Sequence, residues 1–140
     1  LDTLQAAVLL AKFKYVDEFN EKRREIARTY SERLKELKGL FLPILCWDVC
    51  PDFHQYTVRT SERDRLQKYL TGNNISTMVY YPFPLHKMKV FGENRSRHGN
   101  KLGNAERACQ EVLSLPIEPL QDAEDTERIV TAIKEFLRHG

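Results

Sequence analysis

Hydrophobic positions along this chain switch between two spacings, and the switches mark its elements. Leu4, Ala7, Val8 and Ala11 recur at three- and four-residue steps, with Asp2 or Thr3 placed to cap a helix. The pattern changes register over residues 12–15, which predicts a bend or break. A longer helix follows over 16–37, with Phe19, Ile26, Tyr30, Leu34 and Leu37 on one stripe, and Gly39 ends it. Residues 40–51 are apolar but interrupted by Pro43 and Pro51, which predicts a loop or a short edge strand. Residues 53–60 alternate instead: His54, Tyr56 and Val58 share one face, and Gln55, Thr57 and Arg59 the other. On the apolar side, His54 reads as a hydrogen-bonded core histidine. Ser61 then stands as a helix cap with Asp64 in the capping-box position, ahead of a stripe of Leu66, Tyr69 and Leu70.

Gly72, Asn73 and Asn74 tolerate left-handed backbone and stop that helix. Over 75–81 the period is again two, with Ile75, Thr77, Val79 and Tyr81 opposed to Ser76, Met78 and Tyr80. Pro82 and Pro84 end this strand because proline has no amide for a ladder. Asn104 is placed to cap a helix with Ala105, Ala108, Cys109 and Val112 inward. Residues 113–116 read as a short strand, and Asp122 caps a last helix striped by Ile129, Ile133, Phe136 and Leu137. The order helix, helix, strand, helix, strand, helix, strand, helix predicts an α/β (α+β) fold, a small three- to four-stranded sheet with helices packed on it.

Composition narrows the class without naming a function. A chain of 140 residues, 41% hydrophobic and 30% charged, suits one globular domain and neither a disordered nor a membrane protein. The first apolar run is too short to span a bilayer. Cys46, Cys50 and Cys109 are odd in number, and Cys46 and Cys50 lack metal-site spacing, so they read as structural thiols in a reduced, cytoplasmic setting. The chain starts at Leu1 without an initiator methionine and runs straight into a helical pattern, as expected of a piece of a longer protein.

The net charge of +2 gives no reason to expect nucleic acid, but its distribution is uneven. On the 16–37 helix both signs mix at helical spacing, which describes a solvated face. Arg23 departs from this, lying in line between Phe19 and Ile26, where it either snorkels or pairs with an acid. Between residues 86 and 101, Lys87, Lys89, Arg95, Arg97 and Lys101 face only Glu93, a loop able to attract an anion or simply to be solvated.

The candidate chemistry sits beside that loop. Tyr80 and Tyr81 end a strand, Pro82-Phe83-Pro84 forms a stiff elbow, and His86 follows with Lys87 and Lys89. Phenol, imidazole and ammonium groups can together donate hydrogen bonds to phosphate oxygens. The competing reading is a strand and loop with surface aromatics.

Several motifs occur in a joint order: LDTLQAA (1–7), NEKRREI (20–26), FHQY (53–56), TMVYYP (77–82), PLH (84–86) and EVLSLP (111–116). Together they resemble the C-terminal part of the DegT/StrS-type, pyridoxal-phosphate-dependent nucleotide-sugar aminotransferases, over nearly the whole chain. The resemblance implies the small C-terminal domain of an aspartate-aminotransferase-like fold, with residues 1–38 as a broken connecting helix and 39–140 as the small domain. It implies transfer of an amino group from glutamate to a keto group on a nucleotide-linked sugar, in cell-surface polysaccharide or secondary-metabolite sugar synthesis, by a homodimer. In that family the cofactor lysine and the groups facing the pyridoxal ring belong to the large N-terminal domain, so this piece is expected to be inactive alone. Tyr80, Tyr81 and His86 would border the substrate, with no catalytic, cofactor or metal ligand in the piece. The family usually has His-Tyr where this chain has Tyr80-Tyr81. Composition equally permits a non-enzymatic α/β regulatory module binding an anionic ligand, or a partner-binding protein using the 16–37 helix as a coiled-coil arm.

Overall fold

A computed structural model of the chain describes residues 2–44, 48–91 and 102–139. Its centre is a two-stranded antiparallel sheet, β1 (Tyr56–Arg59) against β2 (Val112–Leu115), with Tyr56 opposite Leu115 and Val58 opposite Leu113. These four side chains share one face and are buried. The opposite face carries Thr57 and Ser114, whose hydroxyls hydrogen-bond at 2.8 Å. Five helices complete the order: α1 (Thr3–Phe13), α2 (Val16–Leu34), α3 (Arg63–Gly72), α4 (Gly103–Glu111) and α5 (Ala123–His139).

Three of them close the core over the apolar face of the sheet. Ile26, Tyr30 and Leu34 from α2, Leu66 and Leu70 from α3, and Ile129, Val130 and Ile133 from α5 join the strand residues in one cluster. Fully burying each such side chain contributes about 1.5–3 kcal/mol, so this face holds the fold together. Several polar groups inside it are paired. The Tyr30 hydroxyl donates to the Pro116 carbonyl at 2.8 Å and accepts from Gln121 Nε2 at 3.0 Å, while the Ser31 and Tyr56 hydroxyls pair at 2.8 Å. Arg33 and Glu127 (2.7 Å) tie α2 to α5 at the surface.

Much of the local reading holds. Asp2 accepts from the Leu4 amide at 2.9 Å and Asp122 from the Asp125 amide at 2.7 Å, so both caps form. The first two helices break at Lys14 and Tyr15. Gly39 turns with φ 81°, a backbone that favours glycine. α2 ends at Leu34 rather than Leu37, although Leu37 still packs on the core.

Several expectations need correction. The strand expected over 75–81 is reduced to one bridge, Met78 opposite Ser114. In that register the next pair would set Ser76 against Pro116, which has no amide to donate. With a matching bridge between Phe41 and Arg59, the sheet is two strands with one paired position at each outer edge, not three or four strands.

The strand expected from Phe53 starts only at Tyr56, because Phe53 takes φ 45° and breaks the alternation; His54 is exposed and is no core histidine. Ser61 does not cap α3. The Thr60 hydroxyl accepts from the Glu62 amide at 3.3 Å just ahead of it. Asn104 lies inside α4 and accepts from Arg107 at 3.4 Å, while Ala105 is exposed. Cys46 and the basic positions Arg95, Arg97 and Lys101 lie outside the described residues, as does Glu93.

No side chain of α1 is buried, and Leu4, Leu10 and Phe13 are 74%, 75% and 72% exposed. Among the described residues no helix is long and apolar enough to cross a membrane.

Candidate functional site

The stretch that follows α3 is set by its two ends. Asn74 takes φ 57° and the Ile75 amide donates back to Leu70 at 2.9 Å, so the chain leaves the helix sharply. Ile75 and Thr77 then turn inward while Ser76 and Met78 face out, the alternation expected from sequence. Met78 exchanges two backbone hydrogen bonds with Ser114, at 3.1 and 2.8 Å, which pins the stretch to β2.

Beyond that pin the chain runs free of the sheet. Tyr80 and Tyr81 are both exposed, and their rings meet edge to face at 5.7 Å and 75°. Tyr81, expected to point inward with Ile75 and Thr77, is instead 71% exposed, since no further strand pairing exists to cover it. Pro84 leads into a 3-10 turn over Leu85–Lys87, closed by the Lys87 amide donating to the Pro84 carbonyl at 2.9 Å.

This turn aims His86 at α4. Its side chain is only 15% exposed, and its Nε2 lies 3.0 Å from Glu106 Oε1. Lys87 Nζ reaches the other oxygen, Oε2, at 2.6 Å. These hydrogen bonds, Lys87 first and then His86, hold the Glu106 carboxyl below the usual carboxylate range. An ionised carboxylate only accepts, so Nε2 carries the proton. In the neutral ring Nδ1 then offers a lone pair: it accepts from a hydroxyl and donates to a phosphate only when the ring is protonated.

Of the three expected residues, the structure brings Tyr80 and Tyr81 into ring contact and turns His86 toward α4. Tyr80 also lines a groove of about 280 Å³, together with Arg23, His54, Gln55, Ser76 and Glu118. Arg23, half-buried, does not pair with an acid; its Nη1 donates to Asn20 Oδ1 at 3.3 Å. Glu106 and the groove residues other than Tyr80 were not singled out as site residues from sequence, although the charge of Arg23 within an apolar stripe was a signal. A roomier and largely apolar hollow of about 380 Å³, between α2 and residues 49–53, holds none of the expected residues. Among the described residues no three His, Cys, Asp or Glu side chains gather as a metal site.

The sequence profile of the DegT/DnrJ/EryC1/StrS aminotransferase family matches residues 1–134. The chain belongs to this family. A relative within reach is the pleiotropic regulatory protein of Geobacillus stearothermophilus, 43% identical over 99% of this chain. Another is the dTDP-3-amino-3,6-dideoxy-alpha-D-galactopyranose transaminase of Aneurinibacillus thermoaerophilus, 39% identical over 97%. Among solved structures, DesV of S. venezuelae, in complex with a ketimine intermediate, superposes with a TM-score of 0.91 at 35% identity over 98% of this chain. The chain spans 38% and 36% of the two relatives and 37% of the DesV chain. Its mixed helix and small-sheet architecture is therefore that of one portion of a family member.

Proposed function

We propose that this chain is the small C-terminal domain of a pyridoxal-phosphate-dependent aminotransferase that aminates a keto group on a nucleotide-linked sugar, with glutamate as donor. The observation that carries the reading is the family match over residues 1–134, in a chain that covers little more than a third of its relatives. In this reading residues 1–38 form the connecting helix and 39–140 the small domain, in a cytoplasmic homodimer.

Pyridoxal phosphate supplies the electron sink for amino transfer and is anchored through a buried lysine. Among the described residues no lysine is buried. These residues thus do not fit the cofactor's covalent anchor, which belongs on the large domain. Their work is to hold substrate. Tyr81 presents a free phenol, Tyr80 meets it edge to face, and His86 is oriented by Glu106 so that one ring nitrogen remains for a sugar hydroxyl.

The first test is activity: the full protein, supplied with glutamate and nucleotide-linked keto sugars, should release 2-oxoglutarate and an amino sugar. Failure with every such sugar overturns the reading. The assignment of residues is tested by Tyr81→Phe and His86→Ala. Each loss should raise the keto-sugar KM, by roughly ten- to hundredfold where the lost bond is to a phosphate (about 1.5–3 kcal/mol) and by up to about tenfold where it is to a sugar hydroxyl (about 0.5–1.5 kcal/mol), with the glutamate half-reaction nearly unchanged. Variants that lose the glutamate half-reaction yet bind the nucleotide sugar normally would show the roles to be wrong. The regulatory name of the Geobacillus relative favours a second reading, a non-enzymatic anion-binding module. Anion binding without any transamination would select it.

A further inference from the structure

Arg23 occupies a position that an amphipathic helix normally gives to an apolar side chain, between Phe19 and Ile26. The side chain is half-buried, and among the described residues its sole hydrogen bond is the one from Nη1 to Asn20, with no carboxylate at ion-pair distance. A partly desolvated guanidinium without a counter-ion is unfavourable unless something else completes it. With Nη1 held by Asn20, Nη2 and Nε remain for a two-pronged contact with an oxyanion.

The surroundings suit that role. The groove that Arg23 lines brings together His54 and Gln55 from the approach to β1 and Ser76 and Tyr80 from the stretch paired with β2. None of these four side chains has a hydrogen-bond partner among the described residues, so three elements converge donors on one space. At about 280 Å³ the groove lies just below the usual range for small-molecule sites, which suits a phosphate or a short carboxylic acid. Glu118 lines it as well and opposes a build-up of negative charge there.

We propose that this groove binds a single oxyanion, a phosphate or a carboxylate, through Arg23, with Tyr80, Ser76 and His54 as hydrogen-bonding partners. The binding rests on these residues alone. Only the physiological source of the anion, a substrate phosphate or an amino-acid carboxylate, rests on the aminotransferase reading.

Isothermal titration of the full protein with inorganic phosphate, and separately with glutarate, tests it. The wild type should bind at least one probe saturably, and the probe preferred identifies the source. Arg23→Gln should weaken that binding by about tenfold or more, while Arg23→Lys restores only part of it, because an ammonium cannot make the two-pronged contact. Should Arg23→Gln fail to fold by circular dichroism, Ser76→Glu places a carboxylate in the groove from an exposed position and should abolish the same binding. Neither probe binding the wild type, or binding that survives Ser76→Glu, overturns the proposal; so does binding unchanged in a folded Arg23→Gln. Phosphate or glutarate binding that disappears with Ser76→Glu in a protein without transaminase activity supports the groove and removes only the aminotransferase reading.

Discussion

Replacing Tyr30 by Phe removes one oxygen from the centre of the core, and the structure sets what that should cost. The ring is fully buried, and its hydroxyl is the tie between α2 and the segment at Pro116 and Gln121 that borders the candidate groove. Without it the Pro116 carbonyl loses its partner, whereas Gln121 Nε2 keeps the Thr126 hydroxyl at 2.9 Å. Orphaning this partly buried acceptor costs about 1–3 kcal/mol, so Tyr30→Phe should lower stability near neutral pH by about 2 kcal/mol. The loss should then depend on pH. Burial raises the Tyr30 pKa from 10.0 to about 12. Its neutral form is thus favoured in the folded state, a contribution fully present below pH 10 and lost as pH rises toward 12. Across that window the wild type loses about 1.4 kcal/mol per pH unit relative to a Phe variant that cannot titrate there. Urea unfolding followed by circular dichroism should therefore show a gap of about 2 kcal/mol at about pH 8 shrinking to under 1 kcal/mol at about pH 11. A gap that stays constant, or widens with pH, would refute the reasoning.

Three further outcomes follow from particular contacts. Glu106→Gln should free His86 and Lys87 and speed amide hydrogen exchange at Lys87 and Met88; unchanged exchange would mean that α4 does not hold the elbow. Because hydrogen bonds to the ionised form depress the Glu106 pKa, the same loosening should appear in the wild type as pH falls through the lowered folded value, and not above the ordinary carboxylate range. Thr77→Val should be neutral or stabilise by up to about 1 kcal/mol in thermal unfolding, since the buried Thr77 hydroxyl has no partner among the described residues; clear destabilisation would reveal a partner there. Replacing Leu4, Leu10 and Phe13 together by Ser should change stability by less than about 0.5 kcal/mol per site while reducing self-association in sedimentation, because these side chains bury nothing within the chain. A large loss of stability would show that α1 docks on its own core.

What local interactions decide was legible along the chain. Three- and four-residue spacing placed α2, α3 and α5 and most of their buried stripes, and the carboxylates of Asp2 and Asp122 reach amides only two and three residues away. The order of short motifs carried the family, which the match over residues 1–134 agrees with. The alternation over 75–81 was legible too, down to which side chains turn inward at Ile75 and Thr77. How far that stretch pairs was not, because pairing depends on the residue opposite, and Pro116 stands 40 positions away in register with Ser76. His54 followed the apolar alternation in sequence but is exposed, since the positive φ of Phe53 resets the faces.

The candidate site depends on tertiary structure even more. Tyr80, Tyr81 and His86 were visible as residue types near a stiff elbow, yet which atoms of His86 remain available is set by Glu106, 20 residues on and on another helix. Arg23 could be seen only as a charge out of place. Its neighbours His54, Ser76 and Tyr80 lie 31 to 57 residues further along the chain, and only the closing of the core around β1 and β2 makes them walls of one groove. A local pattern states which side of its own element a residue takes; which other elements meet that side is a property of the packed chain.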